Sequence, residues 1–157
     1  MRKVLQFFVA QLISFLPALI GSPIVALNIH PWYDEIAKPV FNPPAWVFAP
    51  AWTILYCLMG ISLFLLLRSE NSKAKIQALI VFSLQLFLNA LWSIVFFGLH
   101  SVFGALLVIV ILLSVIALSI ERFYKVSKIA AYLFIPYFLW VSFATVLNYS
   151  IYQLNFN

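Results

Sequence analysis

The sequence predicts an all-α integral membrane protein: a bundle of five transmembrane helices with a long structured loop between the first and second. Three observations predict it. The 157-residue chain is 66% hydrophobic and only 8% charged, with mean hydropathy +1.10, whereas soluble domains carry about 25% charged residues. Its apolar residues gather into five uncharged runs, each near the roughly 20 residues that a helix needs to cross hydrocarbon. Its Lys and Arg lie in short clusters between those runs, the pattern of membrane topology. The length fits one domain, spanning 1–157.

The first run, 4–27, follows Arg2 and Lys3. It exceeds a secretory h-region and ends without a small-x-small cleavage site, so it reads as a retained helix. The second run, 45–67, begins beside Pro44, read as a proline at the first helical position. The third, 76–97, and the fourth, 102–120, are joined around "GLHS", which makes them antiparallel neighbours. The fifth covers 129–154. Arg2 and Lys3, then Arg68, Lys73 and Lys75, then Arg122, Lys125 and Lys128 fall on one side of such a bundle, and Lys38 alone on the other. This bias predicts the N-terminus and loops 2 and 4 inside, and loop 1 and the C-terminus outside.

Loop 1 contains "WYDEIAKPVFNPP". Pro39, Pro43 and Pro44 fix φ and hold their preceding residues extended, so the segment loses little entropy on ordering. Its aromatic residues fit two roles: a belt at the headgroup level, or a lid over the bundle mouth. Below it, three helical stripes carry the polar groups. Gln85, Asn89, Trp92 and Phe96 share one face of the third helix; Pro136, Trp140, Ala144 and Asn148 share one face of the fifth; Trp52, Tyr56 and Gly60 share one face of the second. Amides within hydrocarbon face protein rather than lipid. The stripes therefore converge either as interhelical packing or as an aromatic cavity in the outer half, beneath the loop.

Other chemistry finds little support. Cys57 stands alone in an apolar run, which gives no disulfide framework and no Cys metal site. No metal-ligand cluster and no Ser/His/Asp set is visible. His30 and His100 flank helix ends, and Asp34, Glu35, Glu70 and Glu121 lie in loops or at helix ends. No ionisable group lies within a span, which argues against a proton-coupled pump. Basic residues held in short clusters between apolar runs argue against a nucleic-acid partner; membrane lipid is the surrounding one. Ala10, Ser14, Ala18 and Ser22 form a small-residue stripe on the first helix, fit for a dimer seam or for packing inside the bundle.

Three segments in order, "WYDEIAKPVFNPPAWVFAPAWTILY", "QLFLNALWSIVFF" and "PYFLWVSFATVLNYSIYQLN", resemble the TspO/MBR family of tryptophan-rich sensory proteins and translocator proteins. The resemblance implies a five-helix bundle, usually dimeric, that binds porphyrins such as protoporphyrin IX and benzodiazepine-type molecules under its first loop, with no required cofactor. It implies that Trp52 and Trp140 line the pocket, that Asn89 bonds a ligand carbonyl, that Ala144 lies beside the ligand, and that Tyr33 and Pro43 belong to the lid. It further implies that Trp52 and Trp140 would be the redox-active indoles of any light-dependent porphyrin degradation. Tyr56, Trp92 and Asn148 join the ligand-binding set through the stripes. A sterol motif at the end of the fifth helix is broken here, because no basic residue follows Tyr149 or Tyr152.

Overall fold

The computed structural model describes residues 2–156, and among them every regular element is helical. The helices are α1 (Arg2–Ser14), α2 (Leu16–Asn28), α3 (Ala45–Arg68), α4 (Lys73–Ser93), α5 (Val102–Tyr124), α6 (Lys128–Tyr132) and α7 (Ile135–Phe156). They make five apolar segments long enough to cross a membrane: Lys3–Tyr33, Ala45–Arg68, Lys73–Gly98, Val102–Tyr124 and Lys128–Phe156.

Two of the five predicted helices are broken. The first is interrupted at Phe15, because Pro17 has no N–H to return to the carbonyl of Ile13. The fifth is interrupted between Tyr132 and Ile135, where Pro136 removes the bond to Tyr132; the Phe134 amide bonds Ala131 instead, at 3.1 Å. The first span also runs further than expected, through an irregular turn at Ile29–Tyr33. Pro44 is the N-cap of α3, one residue outside the helix, with extended backbone at ψ 144°. The other caps follow local chemistry. Ser72, Ser101 and Ser127 each accept a bond from the amide three residues on. The third span closes with a wide turn at Ile94–Gly98, where the Leu99 amide reaches Ile94 at 2.9 Å.

The breaks redirect packing. α1 packs on α3, but after Phe15 α2 turns to α4. α6 packs on both α5 and α3, but after Phe134 α7 keeps α5 and leaves α3. α4 and α5 are antiparallel neighbours. α3 thus has neighbours on both sides at the basic end, while at the loop end α2 and α7 make only marginal contact with it. The basic half is filled by Met59, Leu66, Phe82, Ile116, Phe123 and Phe134, with the Phe123 and Phe134 rings edge to face at 4.7 Å. The small-residue stripe of the first span faces its own bundle: Ala10 and Ser14 are fully buried, and Ala18 and Ser22 line the cavity described next.

Candidate functional site

The loop half is hollow. A cavity of about 750 Å³ lies between α2, α3, α4, α5 and α7, beneath the segment 33–44. Tyr33, Pro43, Trp52, Tyr56, Asn89, Trp92, Trp140, Ala144 and Asn148, the nine residues named from the sequence, all line it. Helical periodicity explains the agreement: each stripe is the bundle-facing side of its helix. Three stripe members lie elsewhere. Gly60 packs against the Gln11 side chain, Pro136 borders a groove on the outer surface, and Gln85 is buried below the cavity with neither amide atom paired.

The floor is a bonded polar chain. The Tyr56 hydroxyl donates to Asn89 Oδ1 at 3.0 Å, and Asn89 Nδ2 donates to the Tyr137 hydroxyl at 2.8 Å. Trp52 stacks on Tyr56 with centroids 5.4 Å apart, and meets Tyr137 edge-on at 6.2 Å. On the opposite side the Trp92 indole donates to Asn148 Oδ1 at 3.1 Å, while Asn148 Nδ2 donates to the Val102 carbonyl at 3.0 Å. The amides thus hold the wall in register, each Nδ2 spending one N–H on this framework. Asn148 in particular is buried, with both ends of its amide engaged. The Trp140 indole N–H is buried without a partner. That side chain separates the cavity from the outer groove, bordering both.

The loop divides between the two roles open to it. Trp32 stacks on His100 at 4.4 Å and meets Phe96 edge-on, while Tyr33 packs on Phe96 and Phe97. Phe48, just inside α3, lies edge-on to Trp140. These residues cover the cavity. Val40, Phe41 and Trp46 stay exposed, as belt residues would be. Asn155, near the end of α7, pins the cover. It accepts from the Ala37 amide and donates to the Ala37 carbonyl, both at 2.9 Å. Tyr33 bonds Asn42 at 3.3 Å, and the Asn42 amide closes a turn on Pro39 at 2.9 Å.

Sequence reasoning missed Asn155 and Tyr137. Asn155 lies seven residues beyond Asn148, hence on the same face of α7, and that spacing was a usable signal. Tyr137 follows the kink, so its facing depends on the bend. Among the described residues, charge at the cavity is confined to Asp34 and Lys38, both at the mouth. Between the loop-side ends of α2 and α3, Ser22, Ala26, Ala45, Ala49 and Thr53 line the cavity yet remain exposed, so it opens sideways through a slot of small residues.

Comparison with known proteins follows this geometry. The model of the TspO/MBR family matches residues 7–154. A "Tryptophan-rich protein TspO" of Chlorobaculum tepidum is 43% identical over 125 residues, covering 79% of each chain. A "Tryptophan-rich sensory protein" of Cereibacter sphaeroides is 38% identical over 151 residues, covering 94% of this chain and 93% of the relative. A "Translocator protein" of Homo sapiens is 32% identical over 142 residues, covering 89% and 84%.

Proposed function

The chain belongs to the TspO/MBR family, and from that premise we propose that it is a membrane receptor for flat, apolar, aromatic molecules of the tetrapyrrole class, with protoporphyrin IX as the leading ligand. The observation that carries this reading is the covered cavity walled by Trp52, Trp92 and Trp140. Its volume lies within the roughly 300–1,000 Å³ of small-molecule sites. Indole and phenol rings on several sides offer offset and edge-on contacts to a planar macrocycle. A benzodiazepine-type molecule would use the same rings. The test is a titration of tryptophan fluorescence with protoporphyrin IX in detergent or nanodiscs. Saturable quenching that is weakened by Trp52→Ala supports the reading; quenching indifferent to the cavity residues refutes it.

Light-dependent breakdown of the bound porphyrin is an added activity in this proposal, because two cavity indoles, Trp52 and Trp140, would lie against it. Trp140→Phe keeps a ring in place and removes the indole. Binding should survive this change while porphyrin loss under illumination slows. Unchanged loss after Trp52→Phe and Trp140→Phe together would assign the reaction to light and oxygen alone.

The lateral slot favours a second reading, passive translocation of porphyrin or lipid-like molecules, since a cavity open toward hydrocarbon can exchange its contents with the bilayer. Liposomes carrying the protein should then equilibrate porphyrin faster than empty ones, without an ion gradient. The proposed orientation puts loop 1 and the C-terminus outside, from the basic bias. In a Cys57→Ala background, Ala37→Cys should react with an impermeant thiol reagent from outside and Ser72→Cys should not. The reverse pattern would invert the topology.

A further inference from the structure

We propose that Lys38 is an anion anchor at the mouth of this cavity, where its ammonium takes a carboxylate of the ligand while the apolar body lies against the tryptophans. The inference rests on the tetrapyrrole reading above and narrows it to free acids over their esters.

Polar capacity is unevenly distributed around the cavity. On the walls and floor, Tyr56, Asn89, Trp92 and Asn148 are engaged with one another, with Tyr137 or with backbone, and the Trp140 indole N–H is a neutral donor without a partner. None of them carries a positive charge, so the floor offers an apolar, ring-lined bed. At the mouth stands Lys38, the chain's sole Lys or Arg between Lys3 and Arg68, and among the described residues the one Lys or Arg lining the cavity. Its Nζ donates to the carbonyls of Asp34 at 3.3 Å and Ile36 at 3.1 Å, and sits 4.6 Å from the centre of the Tyr33 ring. It has no carboxylate partner among the described residues. Of the two carboxylates just before it, Asp34 is bonded to His30 instead, and Glu35 makes no ion pair among the described residues.

Lys75 shows what a purely structural lysine looks like in this protein. Its ammonium caps the end of α3, donating to Leu67 O, Ser69 O and Asn71 Oδ1 at 2.9, 2.9 and 3.2 Å. An ammonium has three donors, so Lys75 is saturated. Lys38 makes two such bonds, which leaves one donor beside the opening. The two carbonyls and the ring fix its position, so a carboxylate meets a cation that is already ordered. Asn42 adds a second donor at the mouth, since its Nδ2 uses one proton on the Pro43 carbonyl at 3.2 Å. A planar ligand with its acid groups on one edge matches this layout: rings inward, carboxylates at the rim.

The experiment compares protoporphyrin IX with its dimethyl ester on the full-length protein in nanodiscs, by tryptophan quenching, for wild type, Lys38→Met and Lys38→Arg. Lys38→Met should weaken the diacid about fivefold to tenfold, the effect of a charge-assisted bond at a part-exposed site. It should leave the diester within twofold, and Lys38→Arg should restore most of the diacid affinity. Raising the salt concentration should weaken the diacid more than the diester in wild type and Lys38→Arg, but not in Lys38→Met. Equal losses for both porphyrins would make Lys38 a structural cap of the cover and overturn the proposal, as would no loss for either. A wild type that binds neither porphyrin would sink the tetrapyrrole reading itself. A wild type that binds both equally would spare that reading and sink only the anchor. Unchanged melting temperatures of the two variants keep a folding defect from mimicking the expected result.

Discussion

At the basic end of the bundle, Phe82, Phe123 and Phe134 close on one another and fill the space between helices. At the loop end, Trp52, Trp92 and Trp140 stand around an opening of about 750 Å³. Both halves are aromatic, so residue type does not explain the difference. Helix direction does. Pro17 and Pro136 break the first and fifth spans, and at each break the chain leaves α3: the first span turns to α4, and the fifth stays on α5 alone. α3 is clasped below the breaks and released above them. The cavity is the space so released, and the loop from Tyr33 to Pro44 covers it.

The largest effect should come from unpacking the filled half. Phe134→Ala removes a fully buried ring, and a large-to-small core change of this kind costs about 3–5 kcal/mol through lost contacts and a new void. Trp140→Ala removes a larger ring from a wall that already faces empty space on both sides. Its stability cost should be smaller, about 1 kcal/mol, since little new void is made. Porphyrin affinity should rank the two variants in the reverse order. Thermal unfolding and ligand titration of both variants check the contrast. Equal destabilisation would mean that the loop half is as tightly packed as the basic half.

Asn89 sits where the halves meet, and its effect should be intermediate. Asn89→Ala leaves the buried hydroxyls of Tyr56 and Tyr137 without their shared partner, and one orphaned buried polar group costs about 1–3 kcal/mol. Both stability and ligand affinity should fall, the latter about tenfold. Affinity lost at full stability would mean that Asn89 acts on the ligand directly, as the resemblance implied, rather than through its two tyrosines.

The spans and the inward faces around the hollow half were legible in the sequence, whereas the filling of the basic half was not. Runs of about 20 apolar residues are a length requirement of the bilayer, and the 3.6-residue period marks which side of each helix faces protein. Those two rules found the five spans and brought Trp52, Asn89, Trp140 and Asn148 to one place. They could not find the release of α3, because which neighbour is lost at Phe15 and Phe134 is a property of the packed bundle. Pro17 and Pro136 were visible, but a proline reports a lost bond and not the helix that takes over. Gln85 marks the same limit. Its stripe turned it inward correctly, yet nothing in the spacing said that it would stop below the cavity floor with its amide unpaired. Lys38 entered as one charge in a topology count, and only the fold brings it to the cavity mouth.

The smallest effect on stability should come from the cover, and it should be almost entirely kinetic. Asn155 ties the loop to α7 by two bonds to Ala37, on the part-exposed side of the structure. Partly exposed neutral bonds contribute about 1 kcal/mol or less each, so Asn155→Ala should barely move the unfolding temperature. It touches no ring of the cavity, and the cavity wall should be unaltered. Opening of the cover, however, is a local event whose free energy those two bonds supply in large part. Ligand release should therefore quicken about tenfold, while association changes little, because the slot between α2 and α3 stays as it was. Replacing Pro43 and Pro44 with Gly should act in the same direction by loosening the loop's backbone. Stopped-flow release of protoporphyrin IX from the two variants decides the matter. Faster release in both makes the loop a lid over the hollow half. Unchanged release would mean that the ligand leaves through the side slot alone, and that the loop's aromatic residues serve only to seat this end of the bundle at the membrane surface.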